Sequence, residues 1–142
     1  MKGFPSKITD IMSSPVITVD FETTVKDVTL LMNEKRVGSI IITELEEAVG
    51  IVTERDLLLK IVSQCRDPCK IKVKEIMTTP IITITKDVNI LEAVRIMRKQ
   101  NIRRLVIKED NQLHGIVTDK DILRAVSISA LTSFSNLLGV HA

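Results

Sequence analysis

Apolar positions fall in short blocks whose spacing changes along the chain, and the changes mark the elements. Residues 16–19 and 81–84 are β-branched runs that follow a proline, which predicts two strands. The period then lengthens. Val25, Val28, Leu31 and Met32 recur every three or four residues, as do Ile90, Ala93, Val94 and Met97, so a one-sided helix is predicted after each strand. Asn89 with Glu92 has the spacing of a capping box, and Thr24 with Asp27 is a weaker version. Residues 39–43 and 105–108 read as buried strands, 44–47 and 109–112 as polar turns, and 48–52 and 113–117 as the returning arms of hairpins. A second helix begins near Glu54 and Asp119, with Leu57, Leu58 and Ile61, and Ile122, Leu123 and Val126, expected to face inward.

The same order of elements occurs twice because the sequence itself does. Ile11-Met12-Ser13-Ser14-Pro15-Val16-Ile17-Thr18-Val19 matches Ile76-Met77-Thr78-Thr79-Pro80-Ile81-Ile82-Thr83-Ile84. At the same offset, Gly50-Ile51-Val52-Thr53-Glu54-Arg55-Asp56 matches Gly115-Ile116-Val117-Thr118-Asp119-Lys120-Asp121. A strand–helix–strand step joins parallel strands, and the hairpin adds an antiparallel neighbour. The expected fold is therefore α+β, two tandem β-α-β-β-α repeats at residues 7–63 and 72–127. A unit of about 55 residues is near the lower limit for a self-sufficient core. The two are accordingly expected to pack sheet to sheet with pseudo-two-fold symmetry. Residues 64–71, around Pro68, are expected to be the linker. Residues 128–142 form an amphipathic tail with Leu131, Phe134, Leu137 and Leu138 at helical spacing, and residues 1–10 are expected to wrap the sister repeat.

Composition narrows the function classes. The chain has 142 residues, 20 basic and 18 acidic, and its net charge of +2 does not by itself announce a polyanion-binding surface. A hydrophobic share of 44% calls for a buried core. No apolar run approaches the roughly 20 residues of a membrane span, and the N-terminus lacks a secretory apolar run, so a soluble cytoplasmic chain is expected. Tyr and Trp are absent and Phe stands only at 4, 21 and 134, which argues against an aromatic platform for single-stranded bases. Cys65 and Cys69 have only the isolated His114 and His141 as further soft ligands, so a local disulfide or two inert thiols is favoured over a metal site. The five glycines are scattered, and no nucleophile–base pair or phosphate-cradling loop stands out, so an enzyme is not expected.

The chemistry concentrates in the repeated Gly-Ile-Val-Thr-x-x-Asp block. It places Thr53 and Thr118 where a strand ends, and Asp56 and Asp121 in the first turn of a helix. Unpaired amides at a helix start favour an anion such as phosphate, the threonine hydroxyl can donate to it, and a carboxylate can accept both hydroxyls of a ribose. The same spacing is equally a capping box, in which the threonine and the acid satisfy each other's amides. Both readings stand at the level of spacing. Repeat two carries Arg103 and Arg104 where repeat one has Gly38 and Ser39. Those arginines are either phosphate clamps or solvated strand-start charges. Arg55 and Lys120, inside the blocks, either add charge to such a site or are exposed first-turn residues.

With Ile-Met-x-x-Pro-hydrophobic-x-Thr twice, Ile102-Arg103-Arg104-Leu105-Val106, and the Gly-hydrophobic-Val-Thr-x-x-Asp block twice, the chain resembles a pair of CBS domains, a Bateman module, over residues 7–127. The resemblance implies a regulatory sensor that binds adenosine compounds (AMP, ADP, ATP or S-adenosyl relatives) in clefts between the paired domains. It requires no cofactor and carries out no catalysis. By that resemblance Thr53 with Asp56 and Thr118 with Asp121 supply ribose or phosphate contacts. Ile17-Thr18 and Ile82-Thr83 border the base, and Val37-Gly38-Ser39 and Ile102-Arg103-Arg104 line the walls. It further implies a homodimer acting on a regulated protein partner. Because repeat two has Arg103 and Arg104 where repeat one has Gly38 and Ser39, the two clefts are expected to differ in affinity, and one of them can stand empty. The alternative from another class is a nucleic-acid-binding or structural scaffold dimer using a basic patch of Arg95, Arg98, Lys99, Arg103 and Arg104.

Overall fold

A computed structural model describes residues 7–139, and the chain within it forms two compact units. In the first, strand β1 (Thr18–Asp20) leads into helix α1 (Val25–Lys35), then the hairpin β2 (Ser39–Glu44) and β3 (Glu47–Thr53), then helix α2 (Glu54–Leu57), which runs on as a π-helical turn over Leu58–Val62. The second repeats the order with β4 (Thr83–Ile84), α3 (Ile90–Gln100), β5 (Arg104–Glu109), β6 (Gln112–Thr118) and α4 (Asp119–Leu137). Each sheet has three strands in chain order, the first pair parallel and the second antiparallel, as the crossover and hairpin require.

The predicted helices form where the periodicity places them. Thr24 Oγ1 accepts from the Asp27 amide at 3.2 Å and Asn89 Oδ1 from the Glu92 amide at 2.8 Å, so each helix start is capped by its own N-cap side chain. Val25, Val28 and Met32 pack with Ile40, Ile42 and Val52; Ile90, Ala93 and Met97 pack with Leu105, Ile107 and Val117. Ile41 and Val106, alternating with these along their strands, are buried as well, which is why residues 40–42 and 105–107 read as continuous apolar runs. The first strands are shorter than expected. Ile17 and Ile82 contribute only carbonyls to the ladder, accepting from Ile41 N at 3.0 Å and Val106 N at 3.1 Å. Both hairpins turn through two residues of positive φ, Leu45-Glu46 and Asp110-Asn111, the backbone of a type I′ turn.

Two expectations about the edges of the repeats are corrected. Leu58, Leu123 and Val126 are exposed, because Ile61 in the first unit and Ile122 with Ala125 in the second take the inward line, leaving residues one position along rotated away. The C-terminal tail is no separate helix: α4 continues without a break to Leu137, and Leu131, Phe134, Leu137 and Leu138 are all exposed. Residues 140–142 lie outside the described residues. The linker residues 64–71 are tied to the start of α1, where Pro68 O accepts from Lys26 N at 3.0 Å and Ile71 O from Val25 N at 2.9 Å.

The boundary between the units follows from what comes next. The first unit is Val16–Ile81, whereas the second joins residues 82–139 to residues 7–15. The stretch that opens each repeat therefore completes the other unit. Val73 and Ile76 are buried in the first core, and Thr78 exchanges two backbone hydrogen bonds with Ile51 at 2.8 and 3.1 Å. Ile8 is buried in the second core, and Ser13 does the same with Ile116 at 2.8 and 3.0 Å. Residues 1–6, part of the expected wrap, lie outside the described residues. Lys74 adds an ion pair with Glu22 and lies 5.0 Å from the centroid of the Phe21 ring; the Glu22 hydrogen bond raises its pKa above 10.5.

The glycines of the repeated block are explained by this exchange. A Cβ on Gly50 would sit 2.6 Å from Met77 Sδ, and one on Gly115 would sit 2.6 Å from Met12 Sδ. The thioether of each Ile-Met motif thus fills the hollow that a missing side chain leaves on the opposite repeat's third strand. Gly50→Ala is expected to lower stability by about 1–3 kcal/mol through overpacking, measured by urea denaturation. The cost should shrink in the Gly50→Ala/Met77→Ala double variant relative to Met77→Ala alone.

Candidate functional site

The two Thr-x-x-Asp corners fold alike at first sight. Thr53 and Thr118 end their third strands in extended conformation and become the N-caps of α2 and α4. Their hydroxyls accept from the amides of Asp56 at 3.3 Å and Asp121 at 3.2 Å. In return Oδ2 of each acid accepts from its threonine amide at 2.9 Å. Both blocks are therefore complete capping boxes, the arrangement spacing alone left open beside the ligand reading. Each box uses one carboxylate oxygen, and what meets the other differs between the units.

In the first unit Asp56 is engaged on every side. Oδ2 also accepts from Thr53 Oγ1 at 3.1 Å. Oδ1 accepts from Thr78 Oγ1 at 3.2 Å and pairs with Lys60 Nζ at 2.9 Å, while the same ammonium donates to Ile76 O at 2.7 Å. Asp56 keeps only 8% of its surface exposed and Thr53 7%. These are the buried polar residues of the described chain, and the hydrogen bonds are what make that burial tolerable. Gly38 and Ser39 stand at the entry of β2; Gly38 O accepts from Glu54 N at 3.1 Å, and the Glu54 carboxylate lies 3.6 Å from where a Gly38 Cβ would be.

In the second unit Asp121 is held less tightly. Its Oδ1 faces Arg124 Nη1 at 3.9 Å, an ion-pair distance beyond hydrogen bonding. It borders a cavity of about 320 Å³ lined by Asp10, Ile11, Asp121, Arg124, Ala125, Ile128 and Ser129. Arg103 O accepts from Asp119 N at 3.0 Å, and Arg104 pairs in register with Thr118 across the β5–β6 hairpin. Arg104 Nε is buried without a hydrogen-bond partner among the described residues. Thr118, Asp121 and Arg104 thus come together at one corner, as Thr53, Asp56 and Ser39 do in the other unit.

The remaining candidates divide. Ile102 and Val37 are half-buried just before β5 and β2, and Arg103 is exposed. Thr18 and Thr83 are exposed at the starts of β1 and β4. Thr83 lines a different, wider cavity of about 610 Å³ beside the β5–β6 turn, with Thr85, Val88 and Lys108. The backbone carbonyls of Ile17 and Ile82, expected to border a base, are already used in the ladders. Sequence reasoning missed Lys60 and Thr78. Lys60 was findable, since it lies four residues after Asp56 on the same helical face. Thr78 carried no signal, because only the folding of the opening stretch onto β3 brings it to Asp56. Of the basic patch, Arg95 pairs with Glu92 at 3.4 Å, and Arg98 and Lys99 sit in the last turn of α3, where cations complement the helix dipole. Cys65 and Cys69 are exposed free thiols. Among the described residues no helix is long and apolar enough to cross a membrane.

The CBS domain description matches residues 8–63 and again 73–128, one match for each repeat. The chain belongs to the CBS domain family. Among curated relatives, the uncharacterized protein MK0525 of Methanopyrus kandleri is 41% identical over 117 residues, covering 81% of this chain. The chain spans 60% of that relative's length. Among solved structures, the hexameric CBS-CP12 protein from bloom-forming cyanobacteria aligns with a TM-score of 0.75 at 31% identity, over 82% of this chain and 69% of that one. The CBS domain pair of protein MJ0100, solved in complex with 5′-methylthioadenosine and S-adenosyl-L-methionine, aligns with a TM-score of 0.73 at 27% identity, over 85% and 95%. The α+β fold with two β-α-β-β-α repeats is thus that of tandem CBS domains.

The unequal engagement of the two acids gives a stability difference. Asp56→Ala removes a cap and also the partner of Thr78 and Lys60, and is expected to cost about 2–3 kcal/mol. Asp121→Ala removes the cap contact and only a long, solvent-screened pair with Arg124, and is expected to cost about 1 kcal/mol, both read by urea denaturation.

Proposed function

We propose that this CBS domain pair is a regulatory sensor of an adenosine compound, an adenine nucleotide or S-adenosyl relative, with no catalysis and no required cofactor of its own. The observation that carries the reading is the Thr118–Asp121 corner. Asp121 there keeps an oxygen with no hydrogen-bond partner among the described residues and borders a cavity, and Arg104, in register with Thr118 on the neighbouring strand, has a buried Nε without an acceptor among them. A ribose needs acceptors for its hydroxyls, and a phosphate needs a cation with spare N–H groups. The structural likeness to the MJ0100 domain pair, which holds two adenosine compounds, supports the same ligand class. Regulation follows if the ligand binds two conformations of the chain, or of its complex with a regulated protein, with different affinities.

A homodimer belongs to this reading. Leu123, Val126, Leu131, Phe134 and Leu137 are exposed along one side of α4, an apolar stripe unusual for a surface that meets only water. A cytoplasmic location goes with the two exposed free thiols, which a reducing compartment preserves.

AMP, ATP or S-adenosylmethionine at about 100 times its dissociation constant should add about 2.7 kcal/mol of stability, seen as a raised melting temperature. A melting temperature raised by duplex oligonucleotide, and by none of the adenosine compounds, would favour the nucleic-acid scaffold instead. Light scattering after gel filtration should give a dimer mass for the parent and a monomer mass for Leu131→Glu/Phe134→Glu.

A further inference from the structure

Cys65 and Cys69 are the two thiols of the chain, and the sensor reading uses neither. They are exposed and free in the linker, with Arg66-Asp67-Pro68 between them. We propose that they form a thiol–disulfide modification site, reduced at rest and closed by a small disulfide of the glutathione class, and that closure releases Lys26 at the start of α1 from the linker. This inference goes beyond the sensor reading and does not rest on it.

The linker has a shape that owes nothing to the sulfurs. Cys65 stands in the left-handed region at φ 53°, with Cys65 N donating to Val62 O at 3.2 Å and Arg66 N to Ile61 O at 3.1 Å. That is the bond pattern of a Schellman motif, and it ends the helical run there. Asp67 then folds the chain again: its Oδ1 accepts from Cys69 N at 2.9 Å and its carbonyl from Lys70 N at 3.1 Å. Two turns in succession keep both cysteines in one short loop that is open to solvent. A small disulfide can reach either thiol, and the other is tethered close enough to resolve the adduct. A metal ion suits the place less well, since among the described residues no three His, Cys, Asp or Glu side chains gather to hold one.

The exchange balances in two steps. One cysteine thiolate attacks a sulfur of the small disulfide, forming a mixed disulfide and expelling one small thiolate. The other cysteine thiolate attacks the protein sulfur of that adduct; the Cys65–Cys69 bond forms and the second small thiolate leaves. The two protons shed by the cysteines end on the two expelled thiols. The protein gives up two electrons and the small disulfide takes them, so no further oxidant is needed.

The ring closed in this way contains Pro68, whose carbonyl has another task. It accepts from Lys26 N at 3.0 Å, while Ile71 O accepts from Val25 N at 2.9 Å and Thr24 Oγ1 from Asp27 N at 3.2 Å. The linker thus supplies acceptors to two first-turn amides of α1 that the helix itself leaves unpaired. A disulfide holds its two Cα atoms roughly 4.4–6.8 Å apart, so closure fixes the path of the three residues between them. Arg66 is tied on one side, its guanidinium lying 3.4 Å from Lys60 O and 3.6 Å from a Glu75 carboxylate oxygen. Pro68 is exposed and held outward by the Lys26 amide, and a single solvent-facing hydrogen bond of that kind is the contact that yields. Ile71 lies outside the ring and keeps Val25.

The reduced full chain, treated with excess oxidised glutathione, tests this by intact mass and by amide exchange. The product should be a single chain two hydrogens lighter than the reduced one, closed to maleimide and restored by dithiothreitol. In it the Lys26 amide should exchange about tenfold faster, whereas Val25, bonded to Ile71 O, and Ala93, bonded to Asn89 O in α3, keep their rates. Cys65→Ser and Cys69→Ser should each stop at one attached glutathione, with Lys26 exchanging as in the reduced parent. Two glutathiones on the parent, a disulfide-linked dimer, or two thiols still open to maleimide would overturn the site. A closed disulfide with Lys26 exchange unchanged, or faster exchange at Val25 and Ala93 as well, would overturn its selective action on α1. No adenosine compound enters these measurements, so their outcome is separate from that of the sensor reading.

Discussion

The packing of a methionine into a glycine hollow organises this chain. Met77 sits against Gly50 and Met12 against Gly115, at distances that leave no room for a Cβ. Each contact is reinforced by a reciprocal backbone bridge, Thr78 with Ile51 and Ser13 with Ile116. Because those anchors hold the stretch before one repeat onto the sheet of the other, neither repeat is a closed unit in sequence. A repeat of this size cannot readily bury enough surface alone, and the borrowed stretch supplies apolar side chains that its own strands lack: Val73 and Ile76 in one core, Ile8 in the other.

The same exchange decides the chemistry at the strand–helix corners. Thr78 reaches Asp56 because the Ile-Met stretch is pinned beside β3, and the carbonyl that holds Lys60 in place belongs to Ile76 within that stretch. The matched stretch in the second unit delivers Ser13 to the equivalent place without closing Asp121. Two identical capping boxes consequently leave different residual capacities. Capping and ligand binding, alternatives as long as a carboxylate is treated as one acceptor, become compatible once its two oxygens are counted separately.

The hairpins show local sequence yielding to the fold. Asp110-Asn111 suits a turn of two positive-φ residues, whereas Leu45-Glu46 adopts the same backbone against its preference, at a cost of about 1–2 kcal/mol per residue. The paired strands on either side, with buried Ile40, Ile41, Ile42 and Val52, overrule the turn chemistry.

Much was legible from one strand of text. The doubled register, the periodicity of α1 and α3, the polar hairpin turns and the Thr-x-x-Asp caps are local patterns, and local patterns fix local hydrogen bonds. Side-chain direction on the second helices was not legible, since Leu58, Leu123 and Val126 are as apolar as the residues that point inward. The sequence by itself determined the elements, their order and which residues carry polar chemistry at the corners. Only the tertiary structure decided which opening stretch completes which sheet, and with it whether a carboxylate oxygen is used up or left over. That outcome depends on partners more than 20 positions away along the chain, Thr78 for Asp56, which no periodicity encodes.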